Sequence, residues 1–481
     1  MTVPPITLPA NARSAVYATA DAEGILRRQR ARESSARTYA RSFPIVPARA
    51  NGMTIEGTDG RRYLDCLSGA GTLALGHNHP VVLEAVRRTM DSGAPLHVLD
   101  LATPEKDDFT DALFATLPKP FADRARIHFC GPAGTDAVEA ALKLMQTATG
   151  RRGTLAFTGA YHGMTAGALA ATGSVAIREQ VAGSGSEVTR LPYPYAYRCP
   201  FGVGGERGAE LSATYTERLL DDPSGGVVRP AAMILEAVQG EGGAVPSPDG
   251  WLRAMRRITR EREIPLIVDE VQTGVGRTGA FWAIEHSGIV PDAIVMSKAI
   301  GGSLPLAVIV YDQDYDGWLP GAHTGTFRGN TLAMATGAAT LRYVAGEGLV
   351  ERAAIVGARM TARLEGLRSE LPVIGDVRGR GLMIGVELVD PEGPLDSCGA
   401  HPVAPELADR VRSACLDRGL IVELGGRFGS TLRLLPPLVI TDEEAEAVLD
   451  RLTDAIVEAA IVEAAIVKAA IVKAATAGRR S

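Results

Sequence analysis

Two charged residues stand where apolar runs end. In "IPLIVDE" the run Ile264–Val268 leads into Asp269, and in "DAIVMSK" the run Ala293–Met296 leads through Ser297 into Lys298. Both runs have the length and composition of buried strands. Open α/β sheets bind ligands at the carboxyl ends of such strands. Seen alone, Asp269 is equally well a cap for the following turn. A lysine is seldom fully buried, and burying one unpaired is costly. Lys298 therefore either reaches solvent or is kept in place for its chemistry.

One ligand would satisfy both charges. Pyridoxal phosphate has an aldehyde that condenses with a lysine amine, and its ring nitrogen needs an anion to stay protonated. In that reading Asp269 keeps the ring electron-withdrawing. Lys298, once released, shuttles a proton, and a lowered pKa would suit that task because the neutral amine is the base.

Other stretches offer the remaining contacts. In "FCGPAGTDAVEAALKLMQTATG" a glycine loop opens a helix whose Val138, Ala141, Leu142 and Met145 share one stripe. Gly134 and Thr135 fall at its start, where free N–H groups and the dipole attract phosphate, although an ordinary N-cap looks the same. "FTGAYHGMT" sets Tyr161 where it could lie over a ring, with His162 beside it; either is equally at home in a core. "EAVQGEGG" supplies Glu236, a candidate hydrogen-bonding group for the cofactor site, and Glu241, a candidate partner for an arginine; a solvated loop is the alternative. "HTGTFRGN" carries Thr326, a second possible phosphate ligand. Arg433 lies among the leucines of "LRLLPPLVIT". A guanidinium there is expensive unless it grips a carboxylate or snorkels from an edge strand.

The elements that must position these residues follow from periodicity. Between about residues 80 and 340, strand-like runs alternate with helical segments: "RIHFCG", "RGTLAFTG", "AAMILEAV", "IPLIVDE", "DAIVMSK" and "LAVIVYD". Continuous apolar runs of this kind predict a mostly parallel sheet covered on both faces. "MTIEGTDGRRYLDCLSG" predicts a hairpin at its Asp-Gly turn. Beyond about 345 the pattern becomes α+β. The expected division is an N-terminal arm with part of a small domain (1–85), a large domain (86–340), a C-terminal small domain (341–455) and a helical low-complexity tail (456–481). In that tail a five-residue repeat places Glu458, Glu463, Lys468 and Lys473 on no single stripe.

Composition narrows the class. The chain has 481 residues, 46% hydrophobic and 22% charged, with a net charge of −6, the balance of a globular protein without a nucleic-acid or anionic-membrane partner. Five scattered cysteines with no CxxC pair support neither a zinc site nor a disulfide framework. The start "MTVPPITLPANARS" has no signal-peptide pattern and no apolar run is long enough to span a membrane, so a cytoplasmic location is expected.

Taken in order, "GPAGTDAVEAALK", "AYHG", "EAVQGEGG", "LIVDEVQTGVGRTG", "MSKAIGG", "GTFRGN" and "LRLLPPLVI" resemble the class III aminotransferases over about residues 40–450. The resemblance implies a fold-type-I, α/β transferase acting as a homodimer with shared active sites. It implies Lys298 as the cofactor-bonding lysine, Asp269 at the ring nitrogen, Gln272 near the cofactor's 3'-oxygen and Tyr161 stacked on the ring. Gly134 and Thr135 would bind phosphate, joined by Thr326 of a second subunit. Arg433 would hold the α-carboxylate of glutamate or 2-oxoglutarate, with Glu241 as its exchangeable partner.

"YLDCLSGAGTLALGHNHP", "LHVLDLATPEKDDF" and "LPYPYAYRCPFG" are similar to the subgroup that exchanges amino groups between glutamate/2-oxoglutarate and the 4-position of 2,4-diaminobutyrate/aspartate 4-semialdehyde. Relatives acting on ornithine, lysine or 4-aminobutyrate share the scaffold. A racemase or aminomutase would keep the same lysine and aspartate but need no keto acid. A pyridoxal-sensing regulator would need more than some 40 residues before the fold for a DNA-binding module.

Overall fold

The computed structural model describes residues 21–181 and 187–477, with side chains of the last helix described to residue 463. Part of the expected N-terminal arm and the side chains of Lys468 and Lys473 lie outside the described residues.

The expected hairpin is present. Strands β1 (Pro47–Asn51), β2 (Thr54–Gly57) and β3 (Arg62–Asp65) form an antiparallel meander, and β2 turns into β3 through Asp59-Gly60, with Gly60 at φ 79°. The central sheet takes β4 (Ala125–Phe129), β5 (Thr154–Phe157), β6 (Val188–Leu191) and β7 (Ala232–Leu235). After the short pair β8 (Val238–Gln239) and β9 (Val245–Pro246), it adds β10 (Leu266–Asp269), β11 (Ala293–Met296) and β12 (Val308–Asp312), in the order β4-β12-β11-β10-β7-β5-β6. Six of its seven strands are the runs read from the sequence. The seventh, β6, is the short edge "VTRL", too polar to read as a buried run. Only β12 runs against its neighbours.

The apolar strands separate two cores. Leu266 and Val268 of β10, with Ile294 and Met296 of β11, face one side. Ile267, Ala293 and Val295 face the other, against Ala137, Val138, Ala141, Leu142 and Met145 of the helix Gly134–Thr149. Burying each such branched side chain stabilises the fold by about 1.5–3 kcal/mol. Burial on both faces is why these strands read as continuous runs rather than alternating ones.

A third, antiparallel sheet is built later in the chain from β13 (Ile374–Arg380) and β14 (Met383–Leu388). β15 (Leu420–Ile421) instead pairs in parallel with β3, tying the N-terminal meander to the C-terminal segment. β16 (Glu423–Gly425) and β17 (Thr431–Leu434) complete the third sheet in the order β13-β14-β17-β16. The helix Asp442–Ala477 closes the chain, so the repeat extends the last helix as expected. It buries Val448, Leu452 and Ile456, while Glu458 and Glu463 pair with Arg418 and Arg410.

All strands of the central sheet but β12 run the same way, and β4, β5, β7, β10 and β11 thus end on the same edge as β6. The glycine loop, Tyr161–His162, Glu236, Asp269 and Lys298 follow those ends in turn. The turn Lys298–Gly301 is seated on the helix Thr331–Gly346. There Thr336 Oγ1 donates to the Gly301 carbonyl at 2.7 Å, and a Cβ on Gly337 would lie 2.2 Å from the Ile300 carbonyl oxygen.

Gly337→Ala therefore tests the seat. Alanine is favoured over glycine in a helix by about 1 kcal/mol. Its methyl would here meet a backbone carbonyl that cannot swing aside, and overpacking costs about 1–3 kcal/mol. Net destabilisation in urea unfolding is expected, with turnover falling as the Lys298 turn is pushed off its seat.

Candidate active site

Gly134, Thr135, Tyr161, His162, Glu236, Glu241, Asp269, Gln272 and Lys298 line one cavity of about 220 Å³, together with Gly163, Met164, Val271 and Thr273. A cavity of about 150 Å³ already admits benzene, so a substituted aromatic ring is accommodated. Of the candidate site residues, Arg433 reaches the cavity through Glu241, and Thr326 is absent from its lining. The Thr326 carbonyl instead accepts from His97 Nε2 at 2.8 Å.

Asp269 is 5% exposed. One carboxylate oxygen accepts from the Val271 N–H at 3.0 Å and the other meets His162 Nδ1 at 2.8 Å, which fixes the carboxylate from behind. Burial disfavours the His162 imidazolium, but the hydrogen bond and charge of Asp269, with Glu236 beyond it, outweigh burial and raise its pKa. Its Nε2 is buried and without a partner among the described residues. His162 thus orients Asp269, and its backbone N–H donates to the Thr172 hydroxyl at 3.0 Å, a contact with no sequence signal.

Lys298 adopts φ 51°, a left-handed conformation rare for a side chain this large and held only where packing dictates it. Burial lowers its pKa below the ordinary lysine value, partly offset by Glu241 and Asp269. Desolvation thus pushes the amine toward the neutral form that a base needs.

Glu236 is buried and accepts the N–H groups of Tyr161 and Gly240, both at 2.9 Å, holding Tyr161 over the cavity. Burial pushes its carboxyl up to about 7 against the opposing charge of His162, and Asp269 adds to the rise. Gln272 donates to the Ala70 carbonyl at 3.1 Å, while its Oε1 is buried with no partner among the described residues. Ala70 belongs to a segment, Ser68–Gly71, with positive φ at Ser68, Gly69, Ala70 and Gly71. That bend brings the N-terminal region to the cavity.

At the helix Gly134–Thr149, neither the Gly134 nor the Thr135 N–H donates to another described group, as the first turn of a helix leaves them. The Thr135 hydroxyl accepts from the Met164 and Thr165 N–H groups, each at 3.1 Å. The cradle is tight, since a Cβ on Gly134 would lie 3.1 Å from Val271.

Arg433 is 3% exposed, and its Nη2 meets Glu241 Oε2 at 3.0 Å. Its Nε and Nη1 are buried without partners among the described residues. The Glu241 loop is anchored by Arg378 Nε, which donates to the Gly243 carbonyl at 2.8 Å, and by the Gly426 N–H, which donates to the Glu241 carbonyl at 2.8 Å. Elsewhere Cys130, Asp136 and His323 bring one ligand-type atom each within 4.8 Å of one another. Asp136 there accepts from the Gly131 N–H and from His323, an ordinary hydrogen-bonded arrangement.

These features fit pyridoxal phosphate. The donor set is an anion-seeking helix terminus, a carboxylate for a ring nitrogen, a lysine for an aldehyde, an aromatic face and a Gln272 side chain with an unsatisfied atom. No sequence pattern pointed to Thr172, which meets the site only through tertiary packing; Met164 and the Ser68–Gly71 bend fall inside the quoted stretches "FTGAYHGMT" and "YLDCLSGAGTLALGHNHP", without a role read for either.

Comparison with known proteins agrees with this donor set. The family model described as "Aminotransferase class-III" matches residues 35–456. The chain is 57% identical to the diaminobutyrate–2-oxoglutarate aminotransferase of Rhizobium meliloti, covering 91% of this chain and 93% of the relative. It is 48% identical to the Haemophilus influenzae enzyme of the same name, covering 90% and 95%. Among solved structures it resembles an amine transaminase from an uncultivated Pseudomonas species in PLP-bound form, at 28% identity and TM-score 0.78, covering 89% and 98%. An (S)-enantioselective omega-transaminase from Thermomicrobium roseum is 28% identical with TM-score 0.80, covering 92% and 99%.

The raised pKa of Glu236 has a testable sign. A carboxyl raised from 4.5 to about 7 binds more protons folded than unfolded, so its contribution is fully present below pH 4.5 and is lost as pH rises through 7. In Glu236→Gln that loss is absent. Whatever the constant cost of replacing an acceptor oxygen, the stability of the variant relative to the wild type should improve by up to about 3 kcal/mol from pH 4.5 to 7. Urea unfolding of the cofactor-free proteins across this range measures it, and a flat difference would refute the assignment.

Proposed function

The chain belongs to the class-III aminotransferases, and from that premise we propose that it exchanges amino groups between L-glutamate/2-oxoglutarate and the 4-amino group of L-2,4-diaminobutyrate/aspartate 4-semialdehyde. The names of the 57% and 48% identical relatives support the substrate pair. The observation that carries the chemistry is the shared cavity of Lys298 and Asp269, delivered by the ends of adjacent parallel strands.

Bound pyridoxal phosphate supplies an aldehyde to take up the amino group and a ring to delocalise the electron pair left on the substrate carbon. Asp269, braced by His162, keeps the proton on the ring nitrogen. Gly134 and Thr135 would hold the phosphate with their free N–H groups, and Tyr161 would pack against the ring. Gln272, whose Oε1 has no partner among the described residues, would meet the ring hydroxyl. Lys298, desolvated toward its neutral form, would bond the cofactor's aldehyde and, once released, its Nζ would serve as the base that takes up a proton in the cavity.

Arg433 grips the α-carboxylate of glutamate or 2-oxoglutarate, and Glu241 reclaims it when that carboxylate leaves. A paired arginine that exchanges partners suits two alternating acids, so this ion pair favours transamination over racemisation. The protein acts as a homodimer in this reading, with Thr326 serving the phosphate of a second copy. The link of β15 to β3 supports counting the part of residues 1–85 that follows the N-terminal arm with 341–455 as the small domain, and 86–340 as the large one. Among the described residues no helix is long and apolar enough to cross a membrane. Five free cysteines suit a reducing cytoplasm.

Incubation with diaminobutyrate and 2-oxoglutarate should yield glutamate; inactivity there, with ornithine or 4-aminobutyrate accepted instead, would move the substrate assignment. For Lys298→Ala, turnover should fall at least about 10²-fold. The visible absorbance of covalently held cofactor should also vanish, while far-ultraviolet circular dichroism stays native.

A further inference from the structure

Resting on the diaminobutyrate reading, we propose that Glu423 forms an ammonium-binding subsite that receives the α-amino group of the diamino acid while its 4-amino group is at Lys298. The placement comes from register. β16 and β17 pair antiparallel with Glu423 opposite Arg433, and residues directly opposite in a sheet share a face. Gly425 lies on that face too, and a Cβ there would stand 2.4 Å from Arg433 Nε, so the missing side chain gives the guanidinium room to lie across the strand. Glu423 therefore flanks the arginine that meets Glu241 at the cavity.

Charge balance says what the subsite takes. Glu241 and Glu423 both flank Arg433, which is committed to Glu241, while Arg412, the other guanidinium that acts on Glu423, is committed to Asp409. Glu423 makes no ion pair among the described residues, and its carboxylate accepts only the N–H of Leu424, at 2.9 Å. Burial raises its pKa, Arg433 and Arg412 draw it back, and Glu241 raises it further, as expected of a carboxylate held close to another. Tyr39 and Tyr161 stand by the same groups: the Tyr39 phenol is raised first by burial and then by Glu241 and Glu423.

Glu423 is thus the carboxylate beside Arg433 that holds no ion pair of its own among the described residues. Glutamate brings two carboxylates and one ammonium, and opens the Arg433–Glu241 pair. A diamino acid brings two ammoniums and one carboxylate. Presented by its 4-amino end, it leaves that pair closed and needs an anion for its second ammonium. Glu423 is the uncommitted one. By the same logic 4-aminobutyrate, with no second ammonium, gains nothing from Glu423.

The competing role is structural, with Glu423 only tempering Arg433; its removal would then act mainly on glutamate. The test uses holoenzyme and follows the first half-reaction through the cofactor's absorbance with diaminobutyrate, glutamate and 4-aminobutyrate as donors. In Glu423→Gln the kcat/KM ratio of diaminobutyrate to glutamate should fall about 10- to 100-fold, the weight of one charge-assisted hydrogen bond. The ratio of diaminobutyrate to 4-aminobutyrate should fall in parallel. Glu423→Asp, which keeps the charge on a shorter arm, should lose less, and serves alone if the glutamine variant does not fold. Ratios that stay constant, or a loss concentrated on glutamate, would overturn the proposal. A wild type inactive toward diaminobutyrate would instead overturn the substrate reading on which it rests.

Discussion

Everything at this site depends on holding an amine and a carboxylate in one cavity without letting them neutralise each other. Opposite charges attract more strongly in a low dielectric than in water. The fold counters this by giving each charge a separate strand. Asp269 ends β10 and Lys298 follows β11, strands whose backbones are locked in parallel register. Asp269 is further tied from behind by Val271 and His162, leaving its remaining lone pairs for the cavity. Lys298 is fixed by its left-handed backbone and by the helix Thr331–Gly346 beneath it. A more flexible support would allow the pair to collapse.

The same economy recurs around the cavity. Polar groups there are satisfied on their outer side and open on the inner one: Gln272 through Ala70, Thr135 through the Met164 and Thr165 N–H groups, Arg433 through one nitrogen only. Buried polar atoms without partners are costly. Leaving several to face one cavity is affordable in a protein that binds a polar cofactor on folding or soon after, since the ligand then supplies the missing hydrogen bonds. A structural core of this size would instead be closed with apolar side chains.

Resemblance to solved transaminases at 28% identity preserves the chain path over about nine-tenths of the molecule. The cofactor-facing edge is built from strand ends in the central sheet, whereas Arg433 and Glu423 come from the third sheet and Tyr39 from the N-terminal segment. In the proposed reading, chemistry and recognition are therefore carried by different layers. The recognition layer can change its charge pattern without disturbing the strands that position Lys298 and Asp269.

The sequence by itself determined the central strands, because residues such as Ile267 and Val295 are buried on both faces and leave uninterrupted apolar runs. It also determined which charged residues end those runs, and the helix whose stripe from Val138 to Met145 covers one core. The antiparallel course of β12 and the edge strand β6 were not legible, since direction and edge pairing leave little trace in local pattern. Only the tertiary structure decided that Asp269 and Lys298 share a cavity, that His162 braces Asp269 from behind, and that the Ser68–Gly71 bend brings Ala70 to Gln272. It alone set Glu423 opposite Arg433, because register between distant strands is fixed by packing of the whole sheet and not by any neighbouring residue.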